Sequence, residues 1–205
     1  MVNEPIARDG DGLLPNVFLQ AFGPDYVRRA LDEAHGLDPQ ARLAVNDYGF
    51  DYDNPTEAAR RRSFLRLLEQ LKAAGAPLHE VGVQAHLDLG KGPIRRDVVA
   101  PFLQAIADLD LRIVISELDV QERDFTLPLA ERDRRVADEV RRYLDIALDQ
   151  PAVEGVITWG LSDIHSWLQQ PELVEAHGLN RGLPYDAALR PKPMYRALRD
   201  AFASA

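Results

Sequence analysis

The sequence contains no cysteine. Disulfide cross-links, thiolate nucleophiles and cysteine-ligated zinc are therefore excluded. Clustered basic residues are missing as well: 24 Lys and Arg stand against 33 Asp and Glu, a formal net charge of −9. Nucleic-acid binding needs concentrated positive charge to neutralise phosphates, so no nucleic-acid partner is expected. No apolar run approaches the roughly 18 residues of a membrane-spanning helix, and no membrane partner is expected either. The opening run, Met1-Val2-Asn3-Glu4-Pro5, has no charged and apolar leader of the secretory kind. Linkers, repeats and low-complexity tracts are also absent. The 205 residues, 46% of them hydrophobic, are accordingly expected to form one globular domain over 1–205.

What the chain does contain is alternation. Short β-branched runs at 42–46, 81–84, 111–115 and 153–159 read as strands. Between and around them lie helical patterns at 24–35, 56–75, 97–108, 129–148 and 193–202. Phe64, Leu65, Leu68 and Leu71 recur at helical spacing, as do Val98, Phe102, Leu103 and Ile106, and Val136, Val140, Leu144 and Leu148. Repeated strand–helix order predicts an α/β fold with a parallel sheet covered by helices.

Polar, ionisable and aromatic residues collect where these strands end. Asn46-Asp47-Tyr48 follow the first, Gln84-Ala85-His86 the second, and Ser116-Glu117-Leu118-Asp119 the third. Trp159-Gly160, and then Ser166-Trp167, follow the fourth. Barrels and open α/β sheets build their sites at strand C-terminal ends. Turn and cap chemistry explains any one such cluster, but not four in succession carrying two Trp. Glu117 ends the most apolar strand, where a charge is costly without partners. His86, held by Asp119 and bonded to Glu117, would orient that carboxylate and keep it ionised, as a nucleophile requires. The same spacing fits an Asp–His pair that ties two strands together, and both readings stand at this point. A metal site made of His86, Glu117 and Asp119 lacks the short helical spacing of common ligand sets, so no metal or cofactor is expected.

In their order along the chain these motifs resemble glycoside hydrolase family 10, the endo-1,4-β-xylanase family. Val2-Asn3-Glu4-Pro5 is similar to the family's acid/base strand, and Asn46-Asp47-Tyr48 to the end of its next strand. Gly82-Val83-Gln84-Ala85-His86-Leu87 is similar to the Gly-x-Gln-x-His segment. Ile115-Ser116-Glu117-Leu118-Asp119-Val120 is similar to the nucleophile strand, which usually has Thr before its Glu. Trp159 to Asp163, with Ser166-Trp167-Leu168, and Leu183 to Tyr195 resemble the last strand, its loop and the C-terminal end.

The resemblance implies a TIM (β/α)8 barrel with its substrate cleft across the C-terminal face. It implies double-displacement hydrolysis of xylan or xylooligosaccharide with retention, Glu4 serving as acid/base and Glu117 as nucleophile. In retaining enzymes such carboxyl groups stand about 5–5.5 Å apart. Glu4 would begin protonated while Glu117 is charged. Asn3 would bond the sugar 2-hydroxyl, Gln84 and His86 would support Glu117, and Asn46 and Tyr48 would line the substrate site. Trp159 and Trp167 would stack on sugar faces; core packing is the other role open to them. A secreted or periplasmic location is implied by the family.

Against that pattern the chain begins within the fourth strand. The first three strand–helix units, with their sugar-binding residues, have no counterpart, and Met1 falls where the family has an interior strand residue. The expectation is therefore a partial barrel covering roughly strands 4 to 8, open at two sheet edges that invite self-association. Low activity of the isolated chain is expected, because Glu4 would lie on an unpaired edge strand. The alternative is a catalytically dead or sugar-binding half-barrel that needs a partner to close.

Overall fold

The computed structural model describes residues 2–204, so Met1 and the place expected for it inside a strand lie outside them. The described strands are β1 (Val2–Asn3), β2 (Ala44–Asp47), β3 (Glu80–Val83), β4 (His86–Asp88), β5 (Arg112–Gln121) and β6 (Val153–Thr158). Every pairing among them is parallel, in the order β1, β2, β3, β5, with β4 and β6 also on β5. β3 and β4 follow one another along the same strand, β5. Ala85, at φ +59°, interrupts them. They are two parts of one broken strand, so the sheet presents five successive barrel positions.

The helices are α1 (Val17–Phe22), α2 (Tyr26–Leu37), α3 (Pro55–Ala73), α4 (Arg96–Ala107), α5 (Leu129–Ala147), α6 (Pro171–His177) and α7 (Pro193–Phe202). Of these, α2, α3, α4, α5 and α7 pack buried residues into the core against the outer face of this sheet, while the short α1 and α6 bury none. α3 starts where Asn54 accepts the Glu57 amide and Pro55 fits the first turn. Its Phe64, Leu67, Leu68 and Leu71 are buried, as are Val99, Phe102, Leu103 and Ile106 of α4 and Val136, Val140, Tyr143 and Leu144 of α5. They form one core with Val45, Val81, Val83, Ile113 and Ile115 of the sheet. Each fully buried apolar side chain of this size contributes about 1.5–3 kcal/mol before conformational entropy is counted. Phe50 joins the layers, its ring 4.8 Å from those of Phe64 and Phe102. This is the arrangement of a partial β/α barrel.

Three local expectations change. The helix expected at 24–35 is α2 alone, because Gly23 at φ +69° closes α1 and residues 23–25 form a tight 3-10 turn between them. α6 buries none of its residues and so carries no apolar period that a sequence would reveal. β5 runs on to Gln121 because Asp119 to Gln121 pair with β4, which places Glu117 within the strand and not at its end. The inner face of the sheet is only partly covered: Ala44 and Val114, on the face that carries Asn46 and Gly82, are half-buried. Beyond β1 a groove of about 1140 Å³ is lined by Val2, Val17, Phe18 and Phe22, the last three exposed. Ile157 on β6 and, beyond it, Leu161 and Ile164 are exposed.

Candidate active site

The site is built on an irregularity in β5. Between Ile115 and Leu118 this strand has one residue more than β6, where Val156 to Thr158 stand opposite. Against the other neighbour, Val83 to His86 likewise face the longer span Ile115 to Asp119. The extra residue makes a bulge at Ser116–Glu117, a device that re-aims side chains. Successive residues of a regular strand point to opposite faces, yet here the Ser116 hydroxyl and the Glu117 carboxylate both reach the side chain of Asn46.

Glu117 is buried at 7% exposure. Its Oε1 accepts from Asn46 Nδ2 at 2.7 Å and its Oε2 lies 3.2 Å from His86 Nε2. His86 Nδ1 stands 2.8 Å from Asp119 Oδ1, and Asp119 Oδ2 accepts from Trp167 Nε1 at 2.6 Å. Burial pulls the His86 pKa down, but the hydrogen bond and charge of Asp119, joined by Glu117, outweigh it and hold His86 above its ordinary value. Both ring nitrogens therefore face carboxylate oxygens, Nδ1 that of Asp119 and Nε2 that of Glu117.

Glu4 ends β1. Its amide donates to Asn46 O at 2.8 Å, and its φ of +51° is a left-handed value unusual for a side-chain-bearing residue. Gln84, almost fully buried, donates from Nε2 to Glu4 Oε1 and to Asn3 Oδ1, each at 3.3 Å. Asn3 Oδ1 also accepts from Asn46 Nδ2 at 2.7 Å. The oxygen of Asn3 is thus held from below, and its Nδ2 makes no hydrogen bond among the described residues. Glu4 and Glu117 consequently belong to one network, joined through Gln84, Asn3 and Asn46.

Trp159 and Trp167 are about half exposed and meet the two sides of His86 edge-on, at 6.5 Å and 5.1 Å between ring centres. Tyr48 sits with the Arg60 guanidinium 4.1 Å over its ring. Arg60, itself buried, binds Asp47 Oδ1, Tyr48 O and Ala7 O, while Asp47 Oδ2 accepts the Ile6 amide. This buried pair fastens the segment after β1 to the end of β2.

All ten expected site residues, Asn3, Glu4, Asn46, Tyr48, Gln84, His86, Glu117, Asp119, Trp159 and Trp167, therefore lie at one end of the sheet. Asn46, expected to line the substrate site, has no exposed surface, and its side chain is engaged with Asn3, Ser116 and Glu117. Ser116, Gly82 and Arg60 were not expected. An added Cβ at Gly82 would lie 2.0 Å from Asn46 Oδ1. A lone Gly within a strand is a sequence signal for such close approach, whereas Arg60 looks like any surface Arg on α3.

Parallel strands that lead polar side chains to their C-terminal ends define a β/α-barrel protein with a two-carboxylate site. Residues 1–201 match the profile of Glycosyl hydrolase family 10, and the chain belongs to that family. Endo-1,4-beta-xylanase B of Thermotoga neapolitana is 31% identical over 202 residues, covering 98% of this chain and 54% of that protein. Endo-1,4-beta-xylanase 1 of Humicola insolens is 30% identical over 204 residues, 99% of this chain and 45% of that one. Native xylanase 10B from Thermotoga maritima superposes with a TM-score of 0.85 at 28% identity, covering 99% of this chain and 59% of that one. The same enzyme from Thermotoga petrophila RKU-1, in complex with xylobiose, gives 0.85 at 28% identity, over 99% and 58%. The chain thus spans about half the length of the curated relatives it matches.

Proposed function

We propose that residues 1–205 are the part of a retaining endo-1,4-β-xylanase that carries both catalytic carboxylates. Glu117 attacks the anomeric carbon and Glu4 first protonates the leaving oxygen, then activates water. The observation that carries this is the shared network: Glu117 held by Asn46 and His86, and Glu4 joined to it through Gln84 and Asn3. An Asp119–His86 pair that merely tied strands together would not need the second His86 nitrogen against a second carboxylate, that of Glu117. Asn3 Nδ2 is the donor left for a sugar 2-hydroxyl, and Trp159 and Trp167 offer their exposed faces to sugar rings. The xylanase activity of the relatives and the xylobiose complex favour xylan or xylooligosaccharide as substrate.

The direct test is a 2-deoxy-2-fluoro-β-xylobioside with a dinitrophenolate leaving group, followed by mass spectrometry of the digested protein. A stoichiometric adduct on Glu117, absent in Glu117→Gln, is expected. Labelling elsewhere, or equal labelling of Glu117→Gln, refutes the assignment. Turnover of xylan by the 205-residue chain is expected to lie far below ordinary family rates, because Glu4 follows a two-residue edge strand.

A second reading is favoured by the apolar side chains exposed beyond β1 and β6. It is a half-barrel that binds sugar without cleaving it until a partner, a second copy included, covers those edges. Xylooligosaccharide binding that is unchanged in Glu117→Ala, together with a dimer by light scattering, supports it over the enzyme alone.

A further inference from the structure

We propose that Ser116 is a positioning residue for the nucleophile: its hydroxyl fixes the Asn46 amide, whose oxygen lies in the space left by Gly82, so that Nδ2 faces Glu117. The inference rests on Glu117 being the nucleophile. Ser116 Oγ donates to Asn46 Oδ1 at 2.6 Å, and no other described residue donates to that oxygen. Nδ2 is shared by Glu117 Oε1 and Asn3 Oδ1, each at 2.7 Å. Turned by 180°, the amide would set its oxygen against two acceptors and its nitrogen toward Ser116. Without the hydroxyl, a fully buried Oδ1 has no donor, and the preference for the working orientation weakens.

The backbone makes this contact possible. Only the bulge lets consecutive residues 116 and 117 address the same side chain. Gly82 stands directly opposite Asn46 in the β2–β3 register, and any side chain there would occupy the position of Oδ1. The same amide holds Asn3 and, through Asn3 and Gln84, reaches Glu4. One hydroxyl therefore orders the donor of the nucleophile and the support of the acid/base.

Ser116→Thr and Ser116→Val test the idea as a pair, since both add a branched, strand-compatible side chain and only Thr keeps the hydroxyl. The first readout is solvent exchange of the Asn46 side-chain amide protons by NMR, which needs no turnover. Exchange is expected to rise about tenfold in Ser116→Val, the worth of one hydrogen bond, and to stay near the parent rate in Ser116→Thr. The second is labelling by the fluoro-xylobioside, in which a Glu117 oxygen bonds to C1 as the C1–O bond breaks and dinitrophenolate leaves with its electrons. Its maximal rate is expected to fall about tenfold in Ser116→Val, with the half-saturating concentration little changed, and to recover in Ser116→Thr. Equal amide exchange in the two variants overturns the proposal even if Glu117 is labelled. A split in exchange with no labelling of the parent chain leaves the amide lock standing and removes Glu117 as nucleophile.

Discussion

Gly82→Ala isolates the tightest contact in the site. The new methyl would meet Asn46 Oδ1 at 2.0 Å, Cγ at 2.8 Å and Cβ at 3.1 Å, and nothing else so near. Asn46 is fully buried and cannot swing into solvent. Forcing a methyl into such a packed space costs roughly 1–3 kcal/mol. Displacing the amide also loses a hydrogen bond to a charged group, worth about 1.5–3 kcal/mol. Replacing Gly stiffens the unfolded chain and returns about 0.4–1 kcal/mol. The net expectation is a loss of about 2–5 kcal/mol, which in urea, at a slope of about 2 kcal/mol per molar, moves the midpoint by about 1–2.5 M. The decisive measurement is the cycle with Asn46→Ala. Once the Asn46 amide is gone only its Cβ remains close, and Gly82→Ala is expected to cost less than about 1 kcal/mol in that background. An equal cost in both backgrounds would mean that Gly82 is required by the strand and not by Asn46, and the account of the site would fail.

Lys192 is buried with its Nζ 3.0 Å from Asp163 Oδ1, anchoring the C-terminal loop beside Leu183. Lys192→Met leaves a buried carboxylate unpaired and is expected to destabilise by about 3–5 kcal/mol, most of it recovered in Lys192→Met/Asp163→Asn, as read by chemical denaturation. Asp51 is buried, and burial first, then the charge of Glu57, pushes its carboxyl up to about 7. The native state then binds a proton that the unfolded chain releases, so stability falls as pH rises from the ordinary carboxylate range to about 7. Asp51→Asn is expected to flatten that slope in a series of unfolding curves; an unchanged slope contradicts it. Because His86 is held above its ordinary value, its contribution to stability is present at low pH and lost as pH rises through the folded value. Asp119→Asn is expected to lower the His86 titration midpoint by NMR, and a midpoint that stays in place would show that Asp119 is not what raises it.

The fold was legible wherever burial imposes a period. The apolar faces of α3, α4 and α5 and the core of β5 are visible because one side of each meets the sheet or the helices. The His86, Glu117 and Asp119 grouping was legible because charge beside an apolar strand demands partners. What stayed hidden depends on pairing between strands. The bulge at Ser116–Glu117 adds one residue relative to both neighbours, and no local pattern in β5 announces it. The Trp167 indole bond to Asp119 joins residues 48 positions apart and gives a side chain proposed to stack on sugar a second duty. Arg60 is hidden for the opposite reason: its helix position looks solvent-facing until the segment after β1 folds over it.

The two carboxylates are held by unequal means, and the difference follows from where each lies in the sheet. Glu117 sits on β5, which pairs on both sides and packs Ile113 and Ile115 into the helical core. Its oxygens have two side-chain partners, one of which is fixed in turn by Asp119 and Trp167. Glu4 follows a strand of two residues, at a left-handed backbone angle, with one side-chain contact at 3.3 Å. Loosening β1 would therefore displace Glu4, the proposed acid/base, and leave Glu117, the proposed nucleophile, in place. With these proposed roles, a covering for the β1 edge, whatever chain supplies it, would act on protonation of the leaving group before it acted on attack at carbon. Labelling by a dinitrophenyl glycoside, whose leaving group needs no proton, is accordingly the activity least sensitive to that edge, and hydrolysis of xylan the most sensitive.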